Sequence, residues 1–170
     1  MIQRFRVPFG FFIAATVLYL ATPTKFSLAA GLPIAIFGAA LRALAAGVIK
    51  KDSRLASSGP YAWTRNPLYL GSSLLAVGFA VMSWNSGAAG LLLIPSALIY
   101  PQVIRREESH LERLFGDEFR AYRNQVPCFF PRFKGWGKLP FSFAQYLSNH
   151  EYNTAIGFVA AFVVFALKAS

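Results

Sequence analysis

Long apolar stretches alternate with short polar breaks along this chain. Apolar runs cover residues 9–21, 26–49, 67–84, 87–104 and, more briefly, 155–167. "TPTK" closes the first run and "WNSG" separates the third from the fourth; only Pro33 and Arg42 interrupt the second. A bilayer-spanning helix needs roughly 17–25 residues. Runs two to four have that length. The first and fifth need flanking aromatic or polar residues to reach across. The pattern predicts an all-α, polytopic membrane helix bundle of about five transmembrane helices. "MIQRFR" before the first run resembles a signal peptide, but the later runs require a membrane anyway, so it is read as a retained first span.

A different periodicity follows the fourth run. In "IRREESHLERLFGDEFRAYRNQV", Ile104, Leu111, Phe115, Phe119, Tyr122 and Val126 recur at helical spacing. This predicts a cytoplasmic amphipathic helix, with Gly116 as a point of breakage or kinking. Glu108 falls on its apolar stripe, where an unpaired carboxylate is costly; Glu107 stands one position off. In the second run, Ala35, Gly38, Ala39, Arg42, Ala45 and Ala46 share one face, and small residues there allow close helix contact. Arg42 on that face is either a site residue or a side chain snorkelling to the surface, about 10 Å away at 1.5 Å per residue. The later stretch "PCFFPRFKGWGKLPFSF" mixes prolines, glycines, cations and rings, as interfacial segments do. It serves as an anchor or as the doorway for a lipid-soluble substrate.

Composition and charge sharpen this picture. Hydrophobic residues make up 55% of the 170-residue chain and charged residues 14%, against about 25% charged in a soluble domain. With five spans, Lys25 and Lys168 lie on one side. Arg4, Arg6, Lys50, Lys51, Arg54, Arg65 and every cation over 105–138 lie on the other. The positive-inside rule makes the crowded side cytoplasmic, N-terminus included. The net charge of +10 flanks spans, so anionic headgroups, not nucleic acid, are its expected partner. All seven acidic residues also lie on that side, which places polar chemistry at the inner surface and argues against a channel. One cysteine, Cys128, and two distant histidines, His110 and His150, leave no disulfide framework and no expected metal site. The chain reads as one membrane-embedded domain over 1–170.

The entrance of the third run, "TRNPLYLG", carries candidate chemistry. Asn66 is a favoured N-cap and Pro67 suits the first helical position. Free amides at such a helix start suit a carboxylate or phosphate. Arg65 adds charge, Tyr61 and Tyr69 add aromatic faces for a purine or a cation, and Gly71 leaves room for close approach. Combined with Glu107 and Glu108, these groups match S-adenosylmethionine, which presents a carboxylate, an ammonium, a sulfonium and an adenine.

Two motifs carry a family resemblance. "GPYAWTRNPLYLG", 59–71, is similar to a "GxYxxxRHPxYxG" pattern, and "EESHLERLFGDEFRAY", 107–122, to "EExxLxxxFGxEYxxY". Both belong to the isoprenylcysteine carboxyl methyltransferases and the related phospholipid N-methyltransferases, which the chain resembles over about 30–133. Asn66 replaces the usual histidine, which removes any titration near neutral pH. Phe119 replaces a tyrosine, and "VPC" replaces "VPR", with Arg132 four residues later.

The resemblance implies an integral membrane methyltransferase whose S-adenosylmethionine lies in a cytoplasmic pocket and whose lipophilic substrate enters from the bilayer. By carry-over, Tyr61, Arg65, Asn66, Pro67, Tyr69, Gly71, Glu107 and Glu108 belong to the cofactor side. Methyl transfer from a sulfonium draws on alignment and water exclusion. A carboxylate acceptor needs an arginine to hold it, and Arg42, Arg65 or Arg132 could do so. An amine acceptor needs a base, and a glutamate such as Glu108 could take its proton. Competing expectations are a sterol-reductase-like enzyme and a non-catalytic lipid-binding protein on the same scaffold.

Overall fold

The computed structural model describes residues 3–50, 53–133 and 139–170, with side chains described from residue 10 onward. Lys51 and the middle of the interfacial stretch, 134–138, fall outside these residues. The described chain is helical throughout: α1 (Gln3–Leu20), α2 (Lys25–Val48), a 3-10 turn (Gly59–Ala62), α3 (Pro67–Ser83), α4 (Ser86–Phe115), α5 (Asp117–Gln125), α6 (Phe143–Ser148) and α7 (Tyr152–Lys168). Each apolar run became one helix. By length and composition, α2 and α4 can cross a membrane, whereas the other three apolar helices are shorter. At 1.5 Å per residue, α3 and α7 reach about 25 Å. Of the five expected spans, two have the length and apolarity to cross a membrane, and the other three are shorter apolar helices.

Local chemistry fixes the helix ends. Thr24 and Ser27 form a reciprocal capping box at the start of α2, at 3.0 and 2.9 Å. Asn85 caps α4 by accepting from the Ala88 amide at 3.0 Å. The two turns meet, with the Thr22 amide donating to the Ser83 carbonyl at 2.8 Å. At the same end Lys168 donates to the Leu18 carbonyl at 2.8 Å, tying α7 to α1. Pro33 does not end α2; such prolines persist in membrane helices because neighbours re-satisfy the freed carbonyl.

The central contact is α2 against α3, where glycines face backbone. A Cβ on Gly38 would lie 2.7 Å from the Gly71 carbonyl oxygen, and one on Gly78 would lie 2.7 Å from the Ala35 nitrogen. Below this contact, Val17, Ala35, Met82 and Phe165 form a buried cluster, with the Phe79 ring 5.7 Å from that of Phe165. The outer faces remain apolar: Phe26, Phe37, Ile94, Leu98, Ile156 and Leu167 are each more than half exposed. An apolar exterior of this kind matches a lipid surround.

The expected separate amphipathic helix does not exist as such. Its first half continues α4, and Gly116 breaks the chain with φ +52° before α5 begins. A left-handed φ at that position favours glycine. Glu112 holds α5 back against α4 through Arg120 and Arg123, each at 3.0 Å. Phe119 is fully buried against Leu55 and Tyr122; the aromatic packing takes no hydroxyl there.

The glycine contacts make a direct prediction. Gly78→Val is expected to destabilise by about 1–3 kcal/mol, the cost of overpacking, and to lower the melting temperature in detergent. Gly157→Ala on α7, where an added Cβ meets nothing within 4 Å, should leave it unchanged or slightly higher.

Candidate functional site

The loop before α3 and the end of α4 come together on one side of the bundle. A strap after α5 lies across that loop: the Arg65 amide donates to the Pro127 carbonyl at 2.9 Å, and the Arg132 amide to that of Trp63 at 3.0 Å. The Thr64 hydroxyl donates to the Cys128 carbonyl at 3.1 Å. The Tyr122 hydroxyl donates to the Tyr61 carbonyl at 2.7 Å, which anchors the 3-10 turn. These bonds seat the first motif on the second.

Side chains then join the motifs directly. Arg65 Nε donates to Glu108 Oε1 at 2.8 Å, and its Nη1 donates to the carbonyls of Arg123 and Val126, both at 2.9 Å. The Tyr69 hydroxyl donates to Glu107 Oε1 at 2.7 Å. Glu108 on the apolar stripe is thus paired, as its position required. Asn66 stands at the N-cap position of α3 but makes no capping bond. Its Nδ2 donates to the Cys128 carbonyl at 2.9 Å and approaches Glu108 Oε1 at 3.5 Å. The expected cap is corrected: the strap and the carboxylate draw the amide away from the helix start. Pro67 occupies the first helical position, fully buried.

Three cavities meet at the two glutamates. A narrow one of about 60 Å³ is lined by Tyr61, Arg65, Asn66, Glu107, Glu108 and Phe119, among others. A second, of about 420 Å³, lies beside Arg42, Leu68, Tyr69, Glu107 and His110. A third, of about 540 Å³, runs between α3 and α4 along Ala76, Val77, Leu93 and Ala97 to a polar end at Arg105, Glu108 and Cys128. Glu107 borders the first two and Glu108 borders the first and third. The Tyr61 hydroxyl is buried with no partner among the described residues. Burial, then Tyr122 and the charge of Glu107, raise its phenol well above the usual range, so it stays a neutral hydroxyl.

Three sequence expectations change. Arg42 is spent: its Nε and Nη2 grip Glu151 at 2.7 and 2.9 Å, Nη2 also reaches Thr154 at 3.3 Å, and Nη1 donates to the Leu68 carbonyl at 3.3 Å and to Ser72 Oγ. A guanidinium has five N–H donors, and all five have acceptors. Arg42 therefore neither snorkels nor holds an acceptor directly. Losing one partner of a pair this shielded costs about 3–5 kcal/mol. Gly71 does admit a close neighbour, but that neighbour is α2: a Cβ would lie 2.6 Å from Arg42 Cγ. Arg132 is exposed, lines none of these cavities, and contributes its backbone to the strap.

Sequence reasoning missed Glu151, Ser72, Arg105 and the place of Cys128. Glu151 had a signal, being the acid next to the fifth run. Cys128 stands with its sulfur 3.5 Å from Glu108 Oε1. Partial burial and then the negative charge of Glu108 raise its thiol above the ordinary value.

The structure defines an α-helical bundle with an apolar exterior, in which two carboxylates and an arginine converge where three cavities meet. Comparison with known sequences gives the family. A sequence model described as phospholipid methyltransferase matches residues 26–118, and the chain belongs to that family. It is 40% identical over 83 residues to the nickel-cobalt-cadmium resistance protein NccN of Alcaligenes xylosoxydans xylosoxydans, covering 49% of this chain and 38% of that protein. It is 33% identical over 81 residues to the protein-S-isoprenylcysteine O-methyltransferase of Schizosaccharomyces pombe, covering 48% of this chain and 34% of that one. The corresponding enzyme of Rattus norvegicus is 33% identical over 119 residues, with 63% and 42% covered. The chain thus spans well under half the length of these relatives. No solved structure matches it significantly.

The raised thiol predicts slow alkylation. Cys128 should react with iodoacetamide more slowly at pH 8 than a free thiol, its rate climbing only at higher pH. Glu108→Gln removes the adjacent negative charge, lowers the thiol pKa and should speed the reaction severalfold; an unchanged or slower rate would contradict the electrostatic assignment.

Proposed function

We propose that this chain is an integral membrane, S-adenosylmethionine-dependent methyltransferase acting on a lipophilic acceptor, with its N-terminus and site on the cytoplasmic side. The observation that carries this reading is the pairing of the two motifs, Arg65 with Glu108 and Tyr69 with Glu107, where the three cavities converge on the two carboxylates. Family membership and the isoprenylcysteine methyltransferases among the relatives support it. The resistance protein NccN is named for metals; among the described residues no group of three or more His, Cys, Asp or Glu could hold a metal ion.

The donor set fits the cofactor. Glu107 offers a carboxylate to a cationic centre, Tyr69 and His110 line the same 420 Å³ space, and the unpartnered Tyr61 hydroxyl provides a buried polar contact. Ligand pockets typically measure about 300–1,000 Å³. When bound, S-adenosylmethionine supplies an electrophilic methyl group on a sulfonium. The 540 Å³ cavity receives the acceptor, its apolar length between α3 and α4 holding the tail and its polar end holding the head. Arg105 there meets an acidic head group, and Glu108 takes a proton from an amine. Arg65 and Asn66 hold Glu108 at the border between the cavities.

The test uses purified protein in lipid nanodiscs. Wild type should bind S-adenosylmethionine, and Glu107→Gln should weaken binding at least tenfold while Glu112→Gln does not. Normal binding by Glu107→Gln would sink the site assignment. Labelled cofactor with a whole-membrane lipid extract then identifies the acceptor: a base-labile product is a carboxylate ester, and a base-stable one an N-methyl lipid. Absence of cofactor binding in the folded wild type would favour a non-catalytic lipid-binding scaffold.

A further inference from the structure

Glu151 sits at the start of α7, beyond the residues that the family sequence model matches. It is 7% exposed, yet it lines none of the three cavities. Its two oxygens take the Nε and Nη2 hydrogens of Arg42 side by side, the bidentate geometry that fixes a guanidinium plane. With that plane fixed, Nη1 points at α3, to the Leu68 carbonyl and to Ser72. Leu68 and Ser72 belong to the first two turns of α3, and Tyr69 lies between them. The first amide to close α3, that of Leu70, donates to the Asn66 carbonyl at 3.0 Å. The start of this helix has no side-chain cap, so its position depends on what grips it from outside. A connected path therefore runs from α7 through Arg42 to the helix start that carries Asn66 and Tyr69.

We propose that Glu151 is a positioning residue of the site: by orienting Arg42 it clamps the first turns of α3, so that the C-terminal helix sets the geometry of the cofactor cavity. This rests on the function proposed above, and the competing account is that the pair only glues α7 to the bundle. Three properties separate the two. Glu151→Gln keeps the shape but releases the guanidinium plane. Arg42→Met with Glu151→Met removes both charges together, which in buried pairs often leaves folding intact, while still removing the clamp. Phe165→Leu loosens α7 within the apolar cluster, far from Arg42 along that helix.

Amide exchange over residues 70–72 reads the clamp without any cofactor. Exchange there should rise at least tenfold in Glu151→Gln and in the double methionine variant, and stay at the wild-type level in Phe165→Leu. S-adenosylmethionine affinity should fall about tenfold in the first two, be partly restored by Glu151→Asp, and be unchanged in Phe165→Leu despite its lower melting temperature. Wild-type exchange in the double variant, or equal affinity losses in all variants in step with stability, would overturn the proposal. If the wild type binds no cofactor, the functional reading fails, and the exchange measurement still decides whether Glu151 clamps α3.

Discussion

The start of α3 sits where it does because α2 and α3 meet backbone to backbone. Gly38 and Gly71 face each other, as do Gly78 and Ala35, with no room for another carbon. In lipid the tails are as apolar as the helices, so close packing and polar bonds, not hydrophobic burial, must hold helices together. The glycine contact supplies that packing along most of α3. It also brings Arg42 of α2 against Leu68 and Ser72 of α3. Asn66 and Tyr69 of the first motif hang from this one helix start.

A cation at this depth imposes the second constraint. An arginine within an apolar helix needs acceptors for each of its donors, and the bilayer has none to offer. The Leu68 carbonyl and the Ser72 hydroxyl of α3 satisfy part of it. The remainder comes from Glu151 and Thr154, which are brought in by α6 and α7. The return of the chain is itself anchored: Asn149 donates to the Ala46 and Ile49 carbonyls at 2.8 and 3.1 Å, and the Ser142 amide to the Gly47 carbonyl at 2.9 Å. These bonds occupy the last carbonyls of α2, which its own helix leaves open.

The sequence shows the helices plainly, because each apolar run is long and bounded by polar turns with capping residues such as Thr24 and Asn85. The union of the two motifs was also legible: Glu108 on an apolar stripe demanded a partner, and Arg65 is that partner. What stayed hidden depends on contacts between distant segments. Asn66 has the composition of a helix cap, but the strap around Cys128 competes for its side chain, and no local pattern records the strap. In the sequence Gly71 offers space for a ligand; in the fold the same absence of a side chain serves the neighbouring helix. The sequence alone leaves Arg42 between a site role and snorkelling, because its partner Glu151 lies more than one hundred residues away along the chain.

The two glutamates, adjacent in sequence, divide one boundary between them. On α4 neighbouring residues point about 100° apart, as 3.6 residues per turn requires. Both line the narrow cavity, but Glu107 also borders the space beside Tyr69, while Glu108 borders the polar end of the long apolar cavity. Under the proposed function, a charged, water-soluble donor and a lipid-borne acceptor would meet at this border, since neither partner is at home in the other's solvent. Alignment across it is the main contribution a protein can make to an in-line displacement. Both glutamates are held by groups of the α3 start, Tyr69 on one side and Arg65 with Asn66 on the other. The helix start clamped by Arg42 is thus the part that keeps the two compartments in register.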